Sequence, residues 1–297
     1  MNTEAFLNEY AKSMSGKTLL ITGASGGLGR ELCRYLAPLG GKLILVNEFK
    51  DRAVQLKEEL LHDFPEAEIE CYCLDFENTE AVKELCRKLQ SRTDINFLIH
   101  NAGAYFMPRR KSRAGVDNVF QINFLSPYYI TKKLLPVLEK NHGKVIVTGS
   151  IAHSASKADR DDIDFSSRKI PSAVYGNSKR YLMYAHAELL RNNTDVRFSI
   201  AHPGISHTGI TDNYPKLVKA VAKPSMKLLF MPPAKACLSI LRAVFEDTPS
   251  GSWIGPDIAG IWGKPAIRAL DGCSPDERKF IYETAEMLCN RMNGQTS

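Results

Sequence analysis

Tyr175 and Lys179 stand four residues apart in SAVYGNSKRYLMYAHAELL, a stretch whose pattern predicts a helix over about 173–192. Four residues bring a helix back to the same face, so phenol and ammonium become neighbours. A free tyrosine keeps its proton up to a pH of about 10. A nearby ammonium favours the phenolate and lowers that value. A phenol tuned in this way can give or take a proton near neutral pH. A solvated helix face carries such pairs too, so the pair alone assigns nothing. Ser150 ends the strand-like run KVIVTGS and adds a hydroxyl that could hold an oxygen and steady the charge developing on it.

A second set of residues points to phosphate. The stretch Thr22–Gly29, TGASGGLG, follows the apolar run KTLLI and opens a helical pattern. Gly23 allows a tight turn, Gly27 lets backbone approach a pyrophosphate, and Gly29 lets the helix pack closely on a sheet. The N–H groups and partial positive charge of the helix start then face the phosphates. Ser25 could donate a further hydrogen bond, and Leu28 belongs to the same turn. Glycine-rich turns also end ordinary strands; the first strand–helix junction of an alternating chain is the context that favours a dinucleotide.

That alternation runs along the chain. Strand-like runs at 17–22, 42–47, 68–74, 95–100, 144–148 and 196–201, with a short one near 252–254, are separated by helical patterns at about 27–39, 51–62, 79–91, 113–139, 173–192, 233–247 and 275–290. The strands are nearly continuous apolar runs, as strands buried on both faces must be. The expected fold is α/β, a doubly wound parallel sheet of about seven strands with helices on both faces. No linker or internal repeat divides the chain, so residues 1–297 read as one domain.

Composition excludes several classes. With 44% apolar and 24% charged residues among 297, a sizeable core forms and wholesale disorder does not. The net charge of +6, from 39 basic and 33 acidic residues, is mild and interspersed, and no nucleic-acid motif appears. The seven cysteines form no CxxC pair, and read as free thiols in a reducing, cytoplasmic setting. The first residues, MNTEAFLNEYAKSMSGK, carry two Glu and no long apolar run, unlike a secretory signal. No run of 18 apolar residues suggests a membrane span. No His, Cys and carboxylate cluster has metal spacing.

The order TGxxxGxG, Asp75, Asn101-Ala102-Gly103, Asn123 in QINFLSP, Ser150, Tyr175-x-x-x-Lys179 and His202-Pro203-Gly204 resembles the short-chain dehydrogenase/reductase family in its single-domain, Rossmann-type branch. The matches fall in register over about 190 residues. The resemblance implies an NAD(P)-dependent oxidoreductase that interconverts an alcohol and a carbonyl, with Tyr175 as general acid/base. It implies that Asp75 contacts adenine, Lys179 also binds the nicotinamide ribose, Asn123 holds a water linking Lys179 to solvent, and Thr208 contacts the nicotinamide carboxamide. Asn47, Asn101, Ala102, Gly103, Pro203 and Gly204 join the expected cofactor contacts. His100 stands where the family usually has a second Asn, and Gly149 where it often has Ser.

Ser150 and Tyr175 lie 25 positions apart, about twice the separation in many members. The extra segment 153–174, with Ala152-His153 and Ile163-Asp164-Phe165, resembles retinol-dehydrogenase-like members and implies a lipophilic substrate. At the second strand end, Asn47-Glu48 stands where Asp would select NAD and Arg would select NADP. Glu48 would repel a phosphate, which tilts the expectation to NAD, although Arg30, Lys50 and Arg52 are close in sequence.

Residues 205–233 are expected to form a second substrate loop. There Lys216, Lys219, Lys223 and Lys227 share one helical face, either as the wet side of a lid or as a peripheral contact of 216–230 with anionic lipid. Trp253 and Trp262 bracket IGPDIAG, as core packing or as a pocket wall. A homo-oligomer is possible on the resemblance. A nucleotide-sensing regulatory protein on the same fold is the alternative to an enzyme, and the presence of Ser150, Tyr175 and Lys179 argues against it.

Overall fold

The computed structural model describes residues 3–191, 195–205 and 231–294. Eight strands form one sheet: β1 (Thr18–Thr22), β2 (Lys42–Asn47), β3 (Ile69–Cys73), β4 (Ile95–His100), β5 (Lys144–Thr148), β6 (Arg197–Ala201), β7 (Ser252–Ile258) and β8 (Trp262–Ala269). Their order is β3-β2-β1-β4-β5-β6-β7-β8. The first seven are parallel. The order reverses between β1 and β4, which opens a crevice at the C-terminal strand ends, the place where open α/β sheets bind ligands.

Side-chain alternation divides the core between the two faces of the sheet. Leu20, Ile44, Val46, Leu98 and Val145 join one cluster, while Leu19, Ile21, Leu43, Leu45 and Ile146 join the other. Both faces are dry, which explains the near-absence of polar residues from the central strands. Helices α1 (Thr3–Tyr10), α2 (Gly27–Leu36), α3 (Lys50–Asp63) and α9 (Leu238–Phe245), with the short α8 (Pro233–Ala236), cover the second face. The first is covered by α4 (Thr79–Gln90), α6 (Ser126–Lys140), α7 (Pro171–Arg191) and α10 (Pro275–Met292), with the single turn α5 (Asn118–Phe120) leading into α6.

Three features differ from the sequence expectation. The helix expected over 113–139 begins only at Asn118, because Gly115 takes a positive φ in a tight loop before it. Between α5 and α6, residues Gln121–Leu125 form one π turn. The sheet has an eighth strand, β8, antiparallel to β7 and joined to it through Ala259 and Gly260, both at positive φ. β8 is an edge strand, and of its eight residues only Pro265 is buried. It therefore lacks the apolar pattern that revealed the others; its pairing is a matter of backbone. The expected substrate segment 205–233, with Lys216, Lys219, Lys223, Lys227 and Thr208, lies almost wholly outside the described residues.

Candidate active site

β1 ends in the glycine turn. Gly23 adopts φ +65°, and a β-carbon on it would sit 2.7 Å from the Ala102 Cα. A β-carbon on Gly29 would sit 2.3 Å from the Gly23 carbonyl oxygen. Both glycines are thus required by close backbone approach, Gly23 toward β4 and Gly29 toward its own turn. Leu28 is buried beneath the turn. No side chain caps α2, whose N-cap is Gly26, so its first N–H groups are left free for an anion. These residues fit a dinucleotide pyrophosphate.

Thr22 locks the turn to the next strand. Its Oγ1 accepts from the backbone N–H of Asn101 and of Ala102, both at 3.1 Å. Asn101 returns the contact, its Nδ2 donating to the carbonyls of Thr22 (3.2 Å) and Gly23 (3.0 Å). Asn101 is therefore a clasp of the turn, with both side-chain donor bonds made to backbone. Asn47 also bonds to the turn. It is fully buried, and its Oδ1 accepts from Ser25 N–H at 2.6 Å, so it shapes the turn from beneath.

Glu48, next in the chain, is exposed at that strand end. Partial burial of its carboxyl and the nearby Asp75 raise its pKa. Asp75 is itself exposed and accepts from Glu77 N–H at 2.9 Å. Arg30 is held in an ion pair by Glu59, and Arg52 stacks over the Phe49 ring at 5.0 Å.

Gly103 leads from β4 to Asn123. A β-carbon on Gly103 would meet Asn123 Oδ1 at 3.2 Å and Lys179 Nζ at 3.6 Å. Asn123 sits in the π turn, fully buried. Its Oδ1 accepts from Ala104 N–H at 2.7 Å, and its Nδ2 donates to Ala104 O at 2.7 Å and to Ser178 Oγ at 2.9 Å. Ser178 Oγ donates in turn to the Tyr175 carbonyl at 2.8 Å. Asn123 thus joins the β4 loop to the helix that carries Tyr175.

Tyr175 is half-buried on α7, and the Ser150 hydroxyl beside its phenol favours the phenolate. Lys179 is buried, its Nζ 5.8 Å from the Tyr175 ring centroid and donating to the Thr148 carbonyl at 2.8 Å. Ser150 leads into a 3-10 turn, Ile151–Ala155, and its Oγ accepts from Ala152 N–H at 3.2 Å. His153 Nδ1 donates to the Ser150 carbonyl at 2.7 Å. The three side chains expected to act together do meet, at the C-terminal end of β5.

The electrostatics differ from expectation in one respect. Burial lowers Lys179 to about 8. Burial also pushes Tyr175 up to about 12, against a hydrogen bond from Ser150 that favours the phenolate. Desolvation therefore sets the direction for the phenol, and the ammonium of Lys179 that was expected to lower it is not among the causes.

One contributor was not singled out from sequence. Tyr105 lies edge-on to Tyr175, ring centroids 4.9 Å apart at 81°. The β7–β8 turn closes on the site: a β-carbon on Gly204 would sit 2.5 Å from the Ile261 carbonyl oxygen, and one on Gly260 would sit 3.3 Å from Ile151. Pro203 and Gly204 thus stand at the crevice mouth under this turn. Trp253 packs against His153 (5.5 Å) and His202 (5.3 Å) and supports the Ser150 turn from behind. Gly149 has no room for the serine common in relatives, because a β-carbon would fall 2.5 Å from Ile200 Cγ2. His100 bonds to Thr131 at 2.8 Å, and no group of metal-ligating side chains occurs among the described residues.

Comparison with known proteins agrees with this geometry. The chain is 25% identical to human polyprenol dehydrogenase over 272 residues, covering 87% of this chain and 78% of that one. It is 26% identical to mouse retinol dehydrogenase 14, covering 84% and 77%. Among solved structures it superposes with a TM-score of 0.74 on an uncharacterised protein from Mycobacterium paratuberculosis, at 23% identity and 96% coverage of both chains. An alcohol dehydrogenase from the archaeon Thermococcus sibiricus, complexed with 5-hydroxy-NADP, gives a TM-score of 0.60 at 24% identity, covering 79% and 93%. These structures share the fold. The sequence profile described as short chain dehydrogenase matches residues 17–217, more than half of the chain, and the protein belongs to that family.

Proposed function

We propose that Tyr175 is the proton-exchanging group through which this NAD(P)-dependent oxidoreductase interconverts an alcohol and its carbonyl, and that the alcohol is lipophilic. The observation that carries the reading is the meeting of Ser150, Tyr175 and Lys179 at the C-terminal strand ends, beside an uncapped helix start that fits pyrophosphate.

The dinucleotide, when bound, supplies or accepts the hydride, and its oxidised ring adds a positive charge that favours the Tyr175 phenolate. In oxidation, Tyr175 takes the proton from the hydroxyl oxygen as the hydride leaves the carbon that bears it; in reduction it returns that proton to the carbonyl oxygen. Ser150 holds the substrate oxygen against Tyr175 and offsets its developing charge. Lys179 stands close enough to steady the phenolate, and at about 8 its own proton is exchangeable near neutral pH. Asn123 keeps the β4 loop and α7 in register.

The lipophilic assignment draws on the aromatic edge of Tyr105 beside the phenol, and on relatives whose names specify polyprenol and retinol. NAD over NADP is supported by the acidic strand end at Glu48 and by the engagement of Arg30 with Glu59. A cytoplasmic setting is supported by seven free cysteines.

Tyr175→Phe tests the reading against a nucleotide-sensing protein. An enzyme loses turnover of lipophilic alcohols, followed by reduced-cofactor absorbance, by roughly 10²-fold or more, while binding the dinucleotide as before. Undiminished turnover would overturn the assignment.

A further inference from the structure

Arg180 directly follows Lys179, and its side chain is almost fully buried. Few large charged side chains are buried without a purpose for their donors, because removing a guanidinium from water is expensive unless its N–H groups are satisfied. Here they reach three separate pieces of chain. Nε and Nη2 grip both oxygens of Glu277, at 2.6 and 2.5 Å. Nη2 also donates to the Gly272 carbonyl at 2.8 Å, and Nη1 to the His153 carbonyl at 3.2 Å. The guanidinium lies over the Tyr184 ring at 5.0 Å, and the Tyr184 hydroxyl donates to the Asp271 carbonyl at 2.5 Å.

Glu277 is a partner with work of its own. It lies in the first turn of α10, where the Ser274 hydroxyl accepts from its N–H at 3.3 Å. Its Oε1 also accepts from Ala158 N–H at 2.8 Å. The pair therefore holds the extra segment after Ser150 at two points, His153 through Arg180 and Ala158 through Glu277. Both points are referred to the helix that carries Tyr175 and Lys179.

This has a consequence for the chemistry. Ser150 must keep its hydroxyl on the Tyr175 phenol, yet the two residues are separated by 25 positions of chain, much of it irregular. The 3-10 turn after Ser150 is bonded to its own residues, and those bonds do not fix it relative to α7. Ser156 Oγ donates to the Ala173 carbonyl of α7 at 3.2 Å, Asn177 Nδ2 to the Ile163 carbonyl at 2.8 Å, and Ala152 packs on Gly176; to these the Arg180 fork adds a charged reference, since a planar five-donor group fixes direction as well as distance. A buried ion pair is often no more stable than apolar packing of the same volume. Its distinctive contribution here is geometric.

We propose that Arg180, through Glu277, is a positioning residue for the Ser150–Tyr175 pair, and that the C-terminal helix α10 is by this route a working part of the active site. The proposal rests on the roles given to Ser150 and Tyr175 above and adds a residue that touches neither substrate nor cofactor.

The test uses the full chain with Arg180→Met, Arg180→Lys and Glu277→Gln, the last keeping side-chain volume where loss of the arginine prevents folding. Farnesol is the alcohol probe and NAD the cofactor. The expected result is a kcat lower by roughly tenfold to a hundredfold in Arg180→Met, a cofactor Kd within about twofold of the parent protein, and partial recovery in Arg180→Lys. Amide hydrogen exchange should speed up over 151–158 in Arg180→Met and Glu277→Gln and stay unchanged over the glycine turn 22–29.

Wild-type protection of 151–158 in both variants overturns the proposal, whatever the turnover. So does a cofactor affinity that falls in step with kcat, which marks a general loosening of the fold. Tyr175→Phe is run alongside: if it keeps turnover the reading of the site fails, while the exchange result still judges the clamp.

Discussion

A β-carbon on Gly176 would lie 2.5 Å from the carbonyl oxygen of Ala152. The residue after the phenol thus lets α7 touch the backbone of the turn that begins at Ser150. Glycine inside a helix costs about 1 kcal/mol relative to alanine, so a contact must justify it, and this one brings Ser150 to Tyr175. Gly176→Ala should push the turn away. Despite the better helix propensity, the variant should be less stable by about 1–3 kcal/mol. Its kcat should fall more than its cofactor affinity. Denaturant melts and steady-state kinetics measure the two; a variant as active and more stable than the parent would refute the contact's importance.

The Thr22 hydroxyl ties β1 to β4 by accepting from two backbone N–H groups. Thr22→Val keeps the shape and removes the acceptor. Each donor left unpaired costs about 1–3 kcal/mol if it finds no water. Stability should drop by about that much, and the dinucleotide Kd should rise, because the same loop positions Gly23. Calorimetric titration with NAD checks the second point. Unchanged affinity would mean that the turn keeps its shape without the clasp.

The fold was legible because a doubly buried parallel strand has little alternative to an apolar run, and seven such runs were found. β8 was not, since an edge strand with one buried residue leaves its trace in backbone pairing. At the site, the reacting groups were legible because their chemistry restricts the residue type: a phenol, an ammonium and a hydroxyl at fixed elements. The supporting residues were harder. Asn47 and Asn101 are expected at the cofactor, and that both also bond the glycine turn depends on side-chain direction, which a sequence does not carry. Arg180 carries no signal of its own in the sequence; its fork acquires meaning only from Glu277, 97 positions away.

Cofactor choice should respond to the acidic strand end. Glu48 stands near Asp75, and the Arg30 cation is already engaged by Glu59. Glu48→Arg removes a charge that repels a 2′-phosphate and adds one that attracts it. The ratio of kcat/KM for NADP to that for NAD should rise by roughly tenfold to a hundredfold, since one close charge contact near a protein surface is worth on the order of 1–3 kcal/mol. Glu59→Gln, which frees Arg30, should move the ratio the same way by less. A parent enzyme that already prefers NADP would contradict the assignment of NAD.

Three buried histidines should set the acid limit of stability. Burial holds His186 and His202 at about 4 and His100 well below its ordinary value. All three are neutral in the folded protein at neutral pH. Once the pH drops below about 6.5, the unfolded chain takes up these protons and the folded chain does not. Unfolding is therefore favoured progressively from about pH 6.5 down to about 4, where His186 and His202 charge in the native state too and their contribution levels off. A single group shifted this far contributes at most about 3 kcal/mol, by the worth of each pKa unit. Urea unfolding measured from pH 7.5 to 4.5 should show stability falling as the medium becomes more acid. His186→Asn should flatten that fall, because one titrating group is gone, even if the variant is less stable throughout. A pH slope identical in the parent and in His186→Asn would show that the imidazole is not held neutral by its burial against Thr131 and the Leu182 carbonyl.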